Sequence, residues 1–255
     1  MDESNKIISL LNRKVLNDKL RDYKKSSNSL KNQIGELKEK NIHHILKNLI
    51  SDVNNQEVKV GNYYADCVND NIIYEIQTRQ FNKLRPKLNY FILDHKVVVI
   101  YPIIYKRDLI WITNDGEVTS GKKTTNNSKF NSVFPEIYKI KDLLKNGNIA
   151  LSLLLINVCE YRKVTGFTKI EKKKAEKIDK DLLEIVDCFN ILSIDDYEYF
   201  VREFVNPFTT KDYKNINKTK IKEATIALNI LNYLGLIKRI GKKGRMYLYQ
   251  KNKEK

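Results

Sequence analysis

The first twenty-five residues carry apolar side chains at helical spacing. Ile7, Leu10, Leu11, Val15 and Leu16 share one face and Lys and Arg fill the others, so a helix is expected over residues 6 to 24. The polar run KKSSNSLKNQ ends it. A second helix is expected from about Gly35 to Leu49, where Glu39, Ile42, His43, Leu46 and Ile50 fall at i, i+3, i+4, i+7 and i+11. The period then drops to two. EVKVGNYYADCV and IIYEIQT read as paired strands joined by the turn-forming NDN. FNKLRPKLNYFIL reads as a short helix with a Pro break, KVVVIYPII as a buried strand, and DLIWITNDGEVTS as a hairpin around Asn-Asp-Gly. GKKTTNNSKFNS is a basic, polar loop.

From about 148 to 205 the pattern gives the apolar run Ala150–Val158, the charged stretch EKKKAEKIDK and two expected helices. Beyond Pro207 it changes again. Thr209 and Thr210 precede a short helix with a capping pattern, and NIN is the expected turn. A second helix, about Lys218 to Leu234, has Ile221, Ala224, Leu228, Leu231 and Leu234 on one face, with Gly235 placed to end it. Two strands, LIKRI and RMYLY, follow around GKKG. These changes divide the chain into an N-terminal basic helix (1–32), an α/β core (33–147), a connecting strand and helical region (148–205) and a C-terminal module (206–255).

Composition narrows the partners. The 255 residues are 42% hydrophobic and 31% charged, a globular balance. Against 31 Asp and Glu stand 47 Lys and Arg, a formal +16 that attracts polyanions. Nucleic acid is the first candidate and an anionic membrane surface the second. A general enrichment in Lys explains part of the excess but not its clustering. From Val205 to Lys255 there are 13 Lys and Arg against 3 Asp and Glu, so this fifth of the chain supplies +10 of the +16.

Cys67, Cys159 and Cys188 lie far apart with no CxxC pair, which argues against a zinc site or a disulfide framework and for a reducing compartment. The opening Met-Asp-Glu-Ser-Asn lacks the basic and apolar regions of a signal peptide, and no apolar run is long enough to span a bilayer. A soluble, cytoplasmic protein is expected. No Gly-rich phosphate loop, HExxH, GxSxG or dinucleotide fingerprint is present, which leaves nucleotide-driven motors, zinc proteases, α/β-hydrolases and dehydrogenases without support.

The candidate chemistry lies in the strand pair. Asp66 falls late in the first strand and Glu75 and Gln77 on the second, where alternation sends Glu75 and Gln77 the same way. A short hairpin brings Asp66 beside them. Two converging carboxylates repel unless a cation sits between them, and oxygen-only ligands favour Mg²⁺ or Mn²⁺. Glu39 lies on the helix stripe that should face the sheet, where an acid is costly without a partner. The alternative is that Asp66 and Glu75 are polar-face residues paired with the abundant Lys.

A helix Glu, a strand Asp and then Glu-x-Lys resembles the signature of the PD-(D/E)xK nuclease superfamily of restriction enzymes, resolvases and repair nucleases. A minority of its restriction enzymes carry Glu-x-Gln, as YEIQT does here. The resemblance covers roughly residues 33 to 120. It implies a restriction-endonuclease-like α/β fold, a mixed sheet flanked by helices, with Val97–Ile104 as the central strand after the crossover helix. It makes Asp66 and Glu75 the Mg²⁺ ligands, Gln77 the occupant of the catalytic Lys position and Glu39 the first-helix acid. Ala65 stands where the motif has Pro, and Gln77 cannot act as a cation. Arg79, Lys83, Arg85 and Lys87 follow the motif directly, either as grips on backbone phosphates or as the solvated face of a helix.

The C-terminal module resembles a winged helix-turn-helix over its whole length. Lys218, Lys222, Thr225, Asn229 and Asn232 form a stripe beside the apolar face of its second helix, and Lys242, Lys243 and Arg245 make the wing cationic. Asn and Thr can address base edges while Lys holds phosphates, so DNA is the expected partner and a protein the alternative. The expected function is that of a DNA-binding, Mg²⁺-dependent (or Mn²⁺-dependent) endonuclease of restriction, repair or mobile-element type, a homodimer if both strands are cut. The other reading is a non-catalytic DNA-binding regulator with an inactive nuclease-fold core.

Overall fold

The computed structural model describes residues 2–28, 41–113, 115–121, 123–125, 129–167 and 173–252. The N-terminal helix is two helices, α1 (Glu3–Leu10) and α2 (Arg13–Asn28). Asn12 divides them, its side-chain oxygen accepting from Val15 N–H at 3.0 Å as a cap for the second. Then come α3 (Asn41–Ile50), β1 (Gln56–Val60), β2 (Tyr63–Asn69), β3 (Ile72–Ile76), α4 (Phe81–Phe91) and β4 (Lys96–Ile112). Pro86 lies within α4 and does not break it, because its ring sits on the exposed side where water can replace the lost hydrogen bond. Two short strands, β5 (Val118–Ser120) and β6 (Thr124–Thr125), fold back onto β4.

After α5 (Phe134–Ile137) and a 3₁₀ segment over Tyr138–Lys145, the chain forms β7 (Ile149–Phe167) and β8 (Lys173–Ile191). The apolar run Ala150–Val158 lies in β7, and no α-helix forms among the described residues of 148–205: the charged stretch leads into β8, followed by a 3₁₀ turn at Asp195–Phe200. Lys, Glu and Ala favour helix locally, but β7 offers β8 a partner along nearly its whole length, and pairing overrides propensity.

Among the described residues the main sheet has eight strands in the order β1-β2-β3-β4-β7-β8, with β5 and β6 on β4. β1, β2 and β3 are an antiparallel meander; β4 runs parallel to both β3 and β7, and β8 returns antiparallel. The result is a mixed α/β architecture, a large mixed sheet flanked by helices. Val97–Ile100 of β4 are wholly buried because helices cover both faces. One face packs Val98, Ile100, Leu154 and Ile156 against α1, α2 and α3. The other packs Val97, Val99, Leu151 and Leu153 against α4 and α5, and this core runs on without interruption into the C-terminal segment.

That segment comprises β9 (Phe208–Thr209), α6 (Thr210–Asn217), α7 (Ile221–Leu234), β10 (Ile237–Lys243) and β11 (Met246–Lys251). Its sheet order is β10-β11-β9. Thr209 and Asp212 form a reciprocal capping box, and Gly235 closes α7 at φ 86°. NIN, expected as the turn, completes α6, and the turn is Lys218–Lys220. Ile221, expected on the buried face of α7, is 51% exposed. The segment is bolted to the body by polar contacts as well: Tyr213 Oη donates to Asn131 Oδ1 and Asn131 Nδ2 to Asn217 Oδ1, both at 2.8 Å.

Candidate active site

β3 is hydrogen-bonded on both sides, to β2 and to β4, and all five of its residues are buried. Its pairing with β2 ends at Cys67 and Tyr74, and continuing that register sets Asp66 opposite Glu75. Here side chains take over from the ladder. Asp66 N–H donates to Glu75 Oε1 at 3.2 Å, and Ile76 N–H donates to Asp66 Oδ2 at 2.8 Å. Each carboxylate thus satisfies a backbone donor of the other strand, which fixes both at the edge where β2 parts from β3.

Two helices from opposite faces of the sheet converge on this pair. From α3, His43 Nε2 lies 3.2 Å from Asp66 Oδ2. From α4, Lys87 Nζ lies 2.7 Å from Glu75 Oε2 and 5.7 Å from the Phe91 ring centroid. Burial opposes ionisation of Asp66, but His43, the Ile76 N–H and Lys87 outweigh it and hold its carboxyl below the usual range. His43 therefore donates to a carboxylate. Glu75, 3% exposed, is pushed up to about 7 by burial and by the charge of Asp66, against the pull of Lys87 and of the Asp66 N–H.

Neither Lys87 nor His43 was singled out by the sequence as part of this constellation. The sequence pattern places Lys87 among the phosphate grips and His43 on the sheet-facing stripe of its helix. The signal for Lys87 is its place among Leu84, Leu88 and Phe91, on the buried stripe of α4 rather than its solvated face. A lysine there needs an anion.

The pair has the chemistry of a hard-cation site. Its donors are all oxygen, they are fixed by backbone, and the unfavourable charge on Glu75 is what an added cation relieves. Mg²⁺ needs only one or two carboxylates, because it keeps several waters. Among the described residues no three His, Cys, Asp or Glu side chains group to hold a metal. The expected third acid, Glu39, lies outside the described residues, as does the start of its expected helix.

Gln77 follows β3, and its N–H continues the ladder to Ile100 O at 2.9 Å. Its side-chain amide donates to Arg79 O instead of joining the carboxylates. Its work is to shape the turn into α4, which passes through Gln80 at φ 62°. Arg79 and Lys83 are exposed, whereas Arg85 is paired with Asp142.

The cationic residues of the C-terminal segment divide similarly. Lys242, Lys243 and Arg245 are exposed at the tip of the β10–β11 hairpin, and Arg239 stacks 4.2 Å over the exposed Tyr247. Lys222 and Thr225 are exposed on the first turns of α7. Lys218, expected on that helix, is instead the left-handed cap of α6. Asn229, expected on an open face, is half-buried and accepts from Lys141 Nζ at 3.2 Å, because α7 packs on α5 and the 3₁₀ segment. No helix among the described residues is long and apolar enough to cross a membrane.

No solved structure matches the chain. A protein of Treponema pallidum (strain Nichols), described as uncharacterized, is 27% identical over 154 residues, 60% of this chain and 61% of that protein. The chain therefore spans about three fifths of that relative's length. A family described as "Domain of unknown function (DUF8091)" matches residues 40–191, which hold the whole main sheet, Asp66, Glu75, His43 and Lys87 but not the C-terminal segment, and the chain belongs to that family.

Proposed function

We propose that this protein is a DNA-binding phosphodiester hydrolase that uses Mg²⁺ or Mn²⁺, with a restriction-endonuclease-like core and a C-terminal winged helix. The observation that carries the reading is the meeting of Asp66 and Glu75 at the end of β3, cross-braced by backbone and flanked by His43 and Lys87. Supporting it is the order of elements: a helix, the strand with Asp66, the strand with Glu75, a crossover helix and the central strand β4. This is the order that the nuclease resemblance implies. The hairpin β10–β11 with its exposed Lys242, Lys243 and Arg245 supports DNA as the polymer.

Bound at Asp66 and Glu75, the ion would polarise a phosphoryl oxygen and lower the pKa of its own water. The chain's residues do the rest. Asp66 is held ionised below the usual carboxylate range, and His43 fixes the orientation of its carboxylate. Lys87 takes the cationic role that Gln77 cannot fill, its ammonium held at the carboxylates where charge would build on a phosphoryl group. Cutting both strands requires two such sites and hence two copies.

A second reading has its own observation. The Lys87–Glu75 ion pair already supplies Glu75 with a cation, so the core can stand as an inactive scaffold for DNA binding. Plasmid nicking separates the two. The hydrolase nicks supercoiled DNA with Mg²⁺ or Mn²⁺, stops in EDTA, and loses the activity in Asp66→Ala. A wild type that binds DNA tightly yet nicks none with either ion leaves the scaffold reading standing.

A further inference from the structure

Past its last pair with β3, β4 continues with β7 and β8 as a long arm, and the two faces of that arm differ in charge. One face carries Glu160, 2% exposed, ringed by three cations. Arg162 Nη2 lies at 2.6 Å, Lys180 Nζ at 3.3 Å and Arg107 Nη1 at 3.6 Å. Lys177 is paired across from Arg162 on β8. The opposite face holds Asp108, Asp179 and Asp181 beside Cys159 and Tyr161, with Lys106 and Lys123 near Asp108.

One carboxylate does not balance three cations. Glu160 is held below the usual carboxylate range by them despite its burial, which leaves two positive charges in excess among the four side chains; Arg162 also lies 5.9 Å from the Trp111 ring centroid. The cations are not sealed in: 29%, 35% and 21% of the Arg107, Arg162 and Lys180 side chains remain exposed. Arg107 Nε, a buried donor, has no hydrogen-bond partner. A buried donor without a partner is costly, and a phosphate oxygen drawn into the cluster would supply one once the guanidinium is repositioned.

We propose that the Arg107–Arg162–Lys180 face of the arm is a phosphate-binding site for the backbone of duplex nucleic acid, with Glu160 as the anion about which the cations gather. The proposal rests on the nucleic-acid reading above for the identity of the polyanion. Val99 pairs with Glu75, and Arg107 lies further along the same strand by at most about 26 Å at roughly 3.3 Å per residue. The register shift between Ile104 and Lys106 turns Arg107, with Val158, to the face covered by α1 to α3, the face from which His43 meets Asp66. The span is less than one turn of duplex, about 34 Å, so a duplex lying on that face reaches from the arm to the Asp66 end of the pair.

Binding of a 24-base-pair duplex, read by fluorescence anisotropy in EDTA across a salt series, tests it. Arg107→Gln with Lys180→Gln should lower the slope of log affinity against log salt by about 1.8, and either alone by about 0.9. Glu160→Gln should act in the opposite sense and tighten binding, because it removes a negative charge from the face. A network that only braces the arm predicts a lower melting temperature for all three variants and no tightening in the last. Lys123→Gln, on the opposite face, should leave the slope unchanged. Unaltered slopes in folded Arg107 and Lys180 variants, or an equal loss in Lys123→Gln, overturn the arm site. A wild type that nicks plasmid while those slopes stay unaltered leaves the hydrolase standing without it. A wild type that shows the slopes but never nicks keeps the arm site and removes the hydrolase.

Discussion

The carboxylate pair and the β10–β11 hairpin use charge in opposite ways. At the pair, Glu75 is buried and Asp66 nearly so, and each is fixed by a backbone hydrogen bond and matched to one neighbour from a helix. On the hairpin, Lys242, Lys243 and Arg245 are open to solvent and held only by a two-stranded ribbon. Buried charges are little screened by salt, and their hydrogen bonds depend on a geometry that one atom can spoil. Exposed charges act over about a Debye length, and salt erases them. The first arrangement suits chemistry at one bond; the second suits capture of a polymer whatever its sequence.

Mutating each region should therefore move a different observable. Asp66→Ala should lower the nicking rate by about 10³ or more, on the order of 4 kcal/mol of transition-state stabilisation, while DNA affinity is unchanged or raised. Lys242→Ala with Lys243→Ala should do the reverse, weakening all sequences alike and reducing the salt slope by about 1.8. Nicking assays at saturating DNA, set against anisotropy titrations, would break the comparison if either variant moved both quantities.

Lys87 tests whether the cation belongs to the buried class. As one of four exposed phosphate grips it would behave like the hairpin lysines. As the partner of Glu75 it should cost about 10² in rate when changed to Gln, with affinity altered less than threefold. An affinity loss with an unchanged rate would return it to the phosphate-gripping group.

How much of this could be read from the sequence depends on whether a signal was local. The period-two pattern located β2 and β3, the apolar run located β4, and the Thr209–Asp212 and Gly235 signals bounded α6 and α7, because each depends on neighbouring residues. Asp66 and Glu75 could be placed together because a hairpin joins their strands. Composition suggests helices between 148 and 205 where β8 forms, because its pairing with β7 is a tertiary fact that overrides a Lys- and Glu-rich stretch. His43 and Lys87 each sit on an element whose partner lies across the sheet, so spacing gave their stripe but not what the stripe met. Asn229 was misplaced for the same reason: both sides of α7 are covered, one of them by residues about ninety positions earlier in the chain.

The shifted acidity of Glu75 gives a test without substrate. Its carboxyl is raised from the ordinary 4.5 to about 7 by burial and by Asp66, so the folded state binds its proton more tightly than the unfolded state does. The stability this supplies is complete below the ordinary value and is lost as pH rises through about 7. In EDTA, wild type should lose on the order of 2 to 3 kcal/mol between pH 4.5 and 8 from this group alone. Glu75→Gln cannot titrate, so its melting temperature should fall less over that range, whatever constant offset comes from losing the Lys87 pair. Parallel curves for the two proteins would mean that Glu75 is ionised throughout and that Lys87 fully compensates it. Asp66 contributes in the opposite sense, losing its stabilisation only as pH falls below the ordinary carboxylate range, outside that window.

The smallest effect belongs to Asn229, and it decides what α7 is for. On an open reading face, Asn229→Ala would change the preference between DNA sequences, because a bidentate amide contact discriminates bases by about 1 to 3 kcal/mol. In this fold the amide oxygen is taken by Lys141, whose ammonium also lies 4.8 Å from the Tyr233 ring centroid. The expected loss is therefore one half-buried hydrogen bond from a charged donor, about 1 kcal/mol of stability, with the order of sequence preference intact. Competition between scrambled and selected duplexes measures preference, and a denaturant midpoint measures stability. A changed preference at unchanged stability would mean that Asn229 leaves Lys141 on binding and that α7 reads bases. The expected result instead confines DNA contact on α7 to its first turns, at Lys222 and Thr225, and leaves the hairpin as the main cationic contact of the segment.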